Sequence, residues 1–388
     1  MAGALAPRHD FPVLEDVAYL NAASIALMPR PVWEDVARFA EQIASRGTMG
    51  FDDDDEARVY DGVRTTAAKL FGSDPADLAV TTSATEALGQ IAWWLRPGEG
   101  SNVVTIDIEF PSVPYVWYRV SRDTGTEVRL VRALDDPRSL SLEHVAELVD
   151  DRTAVICVSH VQYATGHLFD LAELAELAHA HDARLVVDAT QSAGMVPIDV
   201  RASGVDVLVS GAYKWLCATF GAAVCYLEPG LAADFVPPLI GWRSTVDPPA
   251  FDATHMPLAE GARRLEYSTV AYPSGIALGG SIEYLLGFGI DEIWKHDLAL
   301  ADRLVAGVRG LGGELVSSPE DVPRGSIVTA RFPGRPPQPL VNRLIEGGVI
   351  AGPRLGGVRF SPHLYNDEGD VDRALGELER ILATPDHD

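Results

Sequence analysis

Short apolar runs alternate with helix-like patterns over the first 230 residues of this 388-residue chain. The runs at 154–160, 184–189 and 205–214 have the length of buried strands, whereas residues 170–182 carry an apolar stripe of helical period. Strands separated by helices in this order predict right-handed crossovers and a mostly parallel α/β sheet. In such sheets the chemistry lies at the carboxyl ends of the strands.

The same patterns predict how the chain is organised. We expect an N-terminal arm (1–28) that packs with the small domain, a large domain (29–270), and a helix linker with a small α/β C-terminal domain (271–388). The irregular, proline-rich segment 232–262 is predicted to be a long loop, which either shapes the substrate pocket or forms a dimer contact. The C-terminal part is predicted to contain helices and strands at 274–288, 291–311, 326–332, 338–347, 357–360 and 367–382.

Composition excludes several functions. Acidic residues outnumber basic ones by 56 to 31, a net charge of −25, so neither nucleic acid nor a membrane surface is expected as a partner. The apolar runs are too short to span a membrane, and residues 1–12 lack a signal peptide's apolar segment. Three cysteines without CxxC spacing predict no disulfide framework and a cytoplasmic location. The acidic run at 51–56 is expected to be solvated, and no metal site is expected.

Two charged residues at predicted strand ends carry the chemical argument. Lys214 follows the third strand, and Asp188 ends the second one, 26 residues earlier. Burial lowers the pKa of an amine and makes it a better nucleophile toward an aldehyde. A buried acid and amine can simply pair, but pyridoxal 5′-phosphate (PLP) needs both. The lysine holds its aldehyde as a Schiff base, and the carboxylate keeps the ring nitrogen protonated.

Other segments supply what such a cofactor requires. Residues 83–85 open a helical pattern, which indicates either an ordinary N-cap or an anion site for the phosphate. Phe110 follows another predicted strand and is either core or a ring that stacks on the cofactor. Gln191, Tyr163 and His160 follow strands that end at the same edge of the sheet.

These segments are similar to those of the class V aminotransferase family of fold type I PLP enzymes. That family includes cysteine desulfurases, kynureninases, isopenicillin N epimerase-like proteins and the sulfoxide lyase of ergothioneine synthesis. The resemblance covers nearly the whole chain, through AYLNAAS, TTSATEAL, EFPS, SHVQYATG, VDATQSAG, SGAYKWL, RRLEYSTVAYP and GGVRFSPHLYN. It implies the fold type I architecture and a homodimer with shared active sites.

The resemblance also implies roles for individual residues. Lys214 resembles the Schiff-base lysine and proton shuttle, Asp188 the pyridinium partner, and Gln191 the donor to the ring oxygen. Phe110 takes the stacking position, and Tyr163 replaces the asparagine that desulfurases place near the ring oxygen. The implied phosphate ligands are Ser83, Ala84, Thr85, Ser210, Tyr213 and, from the neighbouring subunit, Thr269. The implied substrate-binding residues are Arg359, which grips the α-carboxylate, Asn21 and Trp242.

One departure from the family bears on the reaction. Desulfurases carry a mobile-loop cysteine shortly before the carboxylate-binding arginine, and the segment 350–360 contains none. The sequence therefore favours a C–S β-lyase acting on a cysteine S-conjugate over a persulfide-forming desulfurase. Transamination, epimerisation or decarboxylating deamination of a cysteine-derived intermediate stays open. Epimerisation needs a second acid–base on the opposite ring face, for which Tyr163 and His160 are the candidates. A non-catalytic PLP binder is disfavoured because the lysine, the aspartate and the arginine are all retained.

Overall fold

The computed structural model describes residues 3–318 and 322–383. Its strands are β1 (Ala18–Tyr19), β2 (Leu78–Thr81), β3 (Asn102–Ile106), β4 (Glu127–Val131), β5 (Thr153–Ser159), β6 (Arg184–Asp188), β7 (Val207–Gly211), β8 (Ala223–Leu227), β9 (Glu314–Leu315), β10 (Val328–Arg331), β11 (Val349–Ile350), β12 (Gly352–Arg354) and β13 (Gly357–Phe360). Its α-helices are α1 (Arg30–Arg46), α2 (Asp53–Phe71), α3 (Ala84–Leu95), α4 (Ser112–Thr124), α5 (Leu142–Ala146), α6 (Leu171–His179), α7 (Val200–Ser203), α8 (Pro229–Asp234), α9 (Tyr272–Leu286), α10 (Ile290–Gly310), α11 (Pro337–Glu346) and α12 (Glu368–Leu382).

A seven-stranded sheet forms the centre of the large domain, in the order β2-β8-β7-β6-β5-β3-β4. Strand β8 runs antiparallel to both of its neighbours, and the remaining pairs are parallel. Alternate residues of β5 enter two different hydrophobic clusters, Ile156 and Val158 on one face and Val155 and Cys157 on the other. The sheet is therefore covered on both faces, as parallel sheets require. The predicted mostly parallel α/β fold is confirmed.

A smaller antiparallel sheet, in the order β12-β13-β10-β9, lies in the C-terminal part. Apolar residues of α10, α11 and α12 pack with this sheet in a separate hydrophobic cluster. Strand β1 pairs in parallel with β11, with Ala18 opposite Val349, so the N-terminal segment joins the C-terminal sheet region. This pairing brings residues near position 21 close to the hairpin of β12 and β13, where Asn21 bridges to Ser361.

The segment 232–262 is a largely irregular excursion interrupted by short 3₁₀ turns, such as Trp242–Ser244 and Pro248–Ala250. Within it, the ring of Trp242 stacks on that of Phe251, with centroids 5.7 Å apart. The acidic run at 51–56 starts α2, where Asp52 accepts a hydrogen bond from the backbone N–H of Asp55 in a capping box. None of the described helices is long and apolar enough to cross a bilayer.

Candidate active site

A cavity of about 240 Å³ opens at the carboxyl ends of the parallel strands. Its walls include nine of the residues predicted from the sequence: Ser83, Ala84, Thr85, Phe110, Tyr163, Asp188, Gln191, Tyr213 and Lys214. These residues come from five segments that are far apart in the chain. The topology therefore assembles most of the predicted site at one edge of the central sheet, as expected for a parallel sheet.

Lys214 lies in this cavity just beyond the end of β7. It is only 7% exposed, and its Nζ is 5.2 Å from the centroid of the Phe110 ring and 5.7 Å from that of Tyr213. Burial lowers the pKa of Lys214 to about 8, although the negative charge of Asp188 opposes this shift. At pH 7 about a tenth of Lys214 is thus the neutral, nucleophilic amine, far more than for an exposed lysine.

The turn that carries Lys214 is held by hydrogen bonds to the residue after it. The indole N–H of Trp215 donates to Oε1 of Gln191 at 2.7 Å. The carbonyl of Trp215 accepts from Nε2 of His363 at 3.0 Å, and Nδ1 of His363 is 2.7 Å from a carboxylate oxygen of Asp297. Since both ring nitrogens face acceptors, His363 is protonated. Burial alone lowers the pKa of His363, but the Asp297 carboxylate outweighs it and raises the pKa to about 10.

Asp188 ends β6, and its carboxylate is buried in the cavity wall. Its Oδ1 accepts a hydrogen bond from the backbone N–H of Thr190 at 2.9 Å, and Oγ1 of Thr190 accepts from the N–H of Gly211 at 3.0 Å. Burial raises the pKa of Asp188, whereas the Thr190 contacts and the charge of Lys214 lower it. Asp188 is therefore an orientated carboxylate in the cavity wall, suited to accept from a protonated ring nitrogen.

A second buried carboxylate, Glu109, was missed by the sequence reasoning. It accepts hydrogen bonds from the backbone N–H of Ser159 at 2.8 Å, from the Ser159 hydroxyl, and from Nε2 of Gln162 at 2.7 Å. Burial raises the pKa of Glu109 to about 7. Because Glu109 precedes Phe110 and Gln162 precedes Tyr163, this contact fixes the two aromatic side chains relative to each other. Their ring centroids are 5.9 Å apart, edge to face.

The start of α3 forms the other end of the cavity. Ser83 is its N-cap and accepts a hydrogen bond from the N–H of Glu86 at 3.1 Å. The first N–H groups of a helix have no intrahelical acceptor, and Ala84 and Thr85 line the cavity at this point. The hydroxyl of Thr85 is 2.7 Å from that of Ser112, which also lines the cavity. This set of N–H and O–H groups suits an anion such as a phosphate.

Arg359 lies behind the wall formed by Tyr163 and is fully buried. Its Nη1 donates to the carbonyl of Tyr163 at 2.8 Å and its Nη2 to the hydroxyl of Ser24 at 2.6 Å. Nε of Arg359 and Oδ1 of Asn21 are buried without a hydrogen-bond partner among the described residues. Burial lowers the pKa of Arg359 to about 9, so the guanidinium stays charged at neutral pH.

Five predicted site residues do not line the cavity: Arg359 and Asn21, described above, and Ser210, Thr269 and Trp242. The Oγ of Ser210 donates to the carbonyl of Gly211 and does not line the cavity, because successive residues of a strand point to opposite faces, so Gly211 lines it instead. Thr269 is exposed away from the cavity of its own chain. Trp242 is 37% exposed and lines a different cavity with Phe251.

Two expectations about the surroundings of the site are corrected. No residue of the segment 232–262 lines the Lys214 cavity, so within one chain this loop does not shape the pocket. His160 is also absent from the cavity wall, since its Nδ1 is 2.9 Å from the hydroxyl of Ser192 in a buried position. Burial lowers the pKa of His160 to about 4, which keeps it neutral.

The donor set of the cavity fits PLP. The helix start at 84–85 offers hydrogen-bond donors for the phosphate, and the carboxylate of Asp188 can accept from the ring nitrogen. Phe110 can cover one face of the ring, and Lys214 can bind the aldehyde. Gln191 uses one amide N–H on the carbonyl of Ala23, at 3.2 Å, which leaves its second N–H for a ligand. No group needed for that fit is missing from the described residues.

Comparisons with known proteins agree with this geometry. The family model for Aminotransferase class-V matches residues 18–374. The chain is 28% identical to an uncharacterized aminotransferase, YcbU, of Bacillus subtilis, over 96% of each chain. It is 29% identical to a probable cysteine desulfurase of Synechocystis, covering 97% of this chain and 94% of that one. It is also 29% identical to the isopenicillin N epimerase of Streptomyces clavuligerus, covering 94% and 95%.

Solved structures show the same fold. A variant of C-DES with glycine covalently linked to its PLP cofactor superposes with a TM-score of 0.88 at 21% identity, covering 96% of this chain and 99% of that one. The cysteine desulfurase of Thermococcus onnurineus, in its apo form, superposes with a TM-score of 0.85 at 24% identity, covering 97% of each chain. With the family match and the donor set of the cavity, these findings identify the chain as a PLP-dependent enzyme of the class V aminotransferase family.

Proposed function

We propose that this enzyme is a C–S β-lyase that acts on a cysteine S-conjugate. The net reaction takes the S-conjugate and water to a thiol, pyruvate and ammonium. The observation that carries the proposal is that Lys214 supplies an amine in the cavity wall while no cysteine lies there. β-Elimination needs one base at the substrate Cα, whereas desulfuration needs a thiol nucleophile as well.

The cysteines support this choice. Cys157, Cys217 and Cys225 are buried, and none of them lines the Lys214 cavity. Burial raises the pKa of Cys157 and of Cys225 far above the usual range, so both stay as unreactive thiols. The C–S lyase activity named for C-DES, a cystine lyase of the same fold, is consistent with a family member that cleaves this bond.

The proposal assigns a task to two residues of the cavity wall and to Arg359 behind it. Bound PLP supplies an electron sink for the charge that develops at Cα. Lys214 binds the cofactor aldehyde and removes the Cα proton as a neutral amine. Asp188, held by the N–H of Thr190, keeps a proton on the ring nitrogen. Arg359 binds the α-carboxylate, for which its planar fork is suited, and Asn21 lies beside it.

A second acid–base on the opposite face would be needed for epimerisation. His160 does not line the cavity, whereas the phenols Tyr163 and Tyr213 do. Of the two second acid–base candidates named from the sequence, Tyr163 is therefore the one to change if an epimer is found. Elimination requires no such second group, and this difference favours the lyase over the epimerase.

We further propose that the enzyme works as a homodimer in the cytoplasm. Phe110 and Phe220 line the cavity while being 42% and 55% exposed in the single chain, a pattern typical of a surface covered by another subunit. Thr269 is exposed and is proposed to reach the phosphate of the partner subunit's site. The segment 232–262, with exposed Trp242, is proposed to lie at the same contact. Three free, buried cysteines are consistent with a reducing compartment.

The function is tested by product analysis of the purified holoenzyme with a panel of cysteine S-conjugates. We expect pyruvate and the released thiol in equal amounts, both abolished in Lys214→Ala. Alanine with protein-bound persulfide would instead identify a desulfurase. A keto acid that retains the sulfur would identify an aminotransferase, and the D-amino acid an epimerase.

A further inference from the structure

The hairpin of β12 and β13 places two arginines side by side. Its turn consists only of residues 355–356, both with positive φ (44° and 77°), which corresponds to a tight type I′ turn. The register pairs Arg354 with Gly357 and Gly352 with Arg359. Side chains two residues apart on a strand share a face, so Arg354 and Arg359 are diagonal neighbours on one face of the hairpin.

That face of the hairpin lies toward the candidate substrate site. A Cβ on Gly352, which shares the face with Arg354, would meet Oδ1 of Asn21 at 3.3 Å and the hydroxyl of Ser24 at 3.8 Å. Ser24 is also the residue that accepts from Nη2 of Arg359. Arg354 therefore starts on the same face of the hairpin as Arg359, two residues from Gly352, the position next to Asn21, whose Oδ1 has no partner among the described residues.

No carboxylate of the described residues pairs with either of the two guanidinium groups. Among residues 3–318 and 322–383, Arg359 bonds to a carbonyl and a hydroxyl, and Nη1 of Arg354 bonds to the carbonyl of Pro353 at 2.6 Å. In contrast, Arg303 of the same C-terminal part is paired with Asp372 at 2.6 Å. A chain with a net charge of −25 thus leaves two adjacent arginines unneutralised at this site. A substrate with a single carboxylate would compensate only one of these charges.

We propose that Arg354 determines specificity by binding a second acidic group on the side chain of the substrate. The inference rests on the proposed function, because it takes Arg359 as the ligand of the α-carboxylate. The substrate class is then a cysteine S-conjugate whose substituent on sulfur carries a carboxylate or a sulfonate.

The test compares the binding of two unreactive acids to the PLP-loaded enzyme by isothermal titration calorimetry. Propionate carries one carboxylate and succinate carries two. We expect the wild type to bind succinate at least ~10-fold more tightly than propionate, the size of one charge-assisted contact. Arg354→Gln should remove this preference and change propionate binding by less than about twofold. Arg303→Gln, which removes one positive charge from a surface ion pair, should keep the preference.

Three outcomes would overturn the inference: no preference in the wild type, a preference that survives Arg354→Gln, or an equal loss for both acids. The last result would mean that Arg354 shares the α-carboxylate. If Arg354→Gln does not fold, Arg354→Lys replaces it and should retain only part of the preference, because it keeps the charge and loses the fork. PLP content is measured separately, so that the two failures can be told apart. A protein that cannot bind PLP refutes the proposed function, whereas a PLP-loaded protein without a preference for succinate refutes only this inference.

Discussion

Nζ of Lys214 lies 5.2 Å from the centroid of the Phe110 ring, inside the cavity that both residues line. Phe110 is held in place by its neighbour Glu109, which accepts hydrogen bonds from Ser159 and Gln162. The amine and the aromatic face therefore belong to one pre-arranged unit. This arrangement explains why a site with few charged groups suits an aromatic cofactor that carries an aldehyde.

Phe110→Ala is expected to weaken PLP binding by about 2- to 10-fold, because an aromatic pair contributes about 0.5–1.5 kcal/mol beyond buried area. The measurement is the dissociation constant of PLP from the apoprotein, followed by absorbance. Tyr115→Ala is a matched control, since Tyr115 is 64% exposed and does not line the cavity. Equal effects of the two substitutions would show that Phe110 does not stack on the cofactor.

Asp188→Asn is expected to lower kcat by at least ~10²-fold, the size usual for the loss of one pre-arranged electrostatic contact. The asparagine keeps the shape but cannot hold a positive charge on the ring nitrogen. PLP content should stay near that of the wild type, because the lysine and the phosphate site are intact. A nearly normal kcat in this variant would contradict the assignment of Asp188 to the ring nitrogen.

The rate of covalent PLP capture by the apoprotein is expected to rise with pH and to level off above about 8, where Lys214 becomes neutral. Burial lowers the pKa of this amine, while Asp188 opposes the shift. Stopped-flow absorbance over a pH series measures the midpoint. In Asp188→Asn the midpoint should move to lower pH, since the opposing negative charge is gone. A midpoint at the usual pKa of an exposed lysine would contradict the buried position of Lys214.

His363→Gln is expected to destabilise the protein most below pH 6.5 and progressively less as the pH rises toward 10. The pKa of His363 is raised by Asp297 to about 10 in the folded state, above its ordinary value of 6.5. Stability from such a group is fully present below the unfolded pKa and is lost as the pH rises through the folded pKa. Urea unfolding of both proteins at several pH values measures the difference. A difference independent of pH would mean that His363 is neutral.

Much of the central sheet can be predicted from the sequence. The ends of the predicted strands 154–160 and 184–189 agree with those of β5 and β6 to within one residue. They are predictable because strands buried on both faces are continuous apolar runs. The short strands β11 and β12 were not expected. They contain two and three residues and exist because they pair with β1 and β13, which no local pattern reveals.

The site residues likewise include some that the sequence predicts and some that it does not. Asp188 and Lys214 were predictable because a charged residue at the end of a buried strand is costly without a function. Glu109 was missed because its partner Ser159 lies 50 positions away in the chain, although an acid next to a strand end was a usable signal. The assignment of Ser210 to the phosphate overlooked the alternation of side chains along β7. Because successive residues point to opposite faces, Gly211 and not Ser210 lines the cavity.

The most direct test of the account is reduction of the purified holoenzyme with borohydride, followed by peptide mass spectrometry. The account predicts a phosphopyridoxyl group on one peptide, attached to Lys214, and no such group in Lys214→Ala. Modification of Lys69 or Lys295 with Lys214 unmodified, or a protein that carries no pyridoxyl group, would contradict the assignment of this cavity.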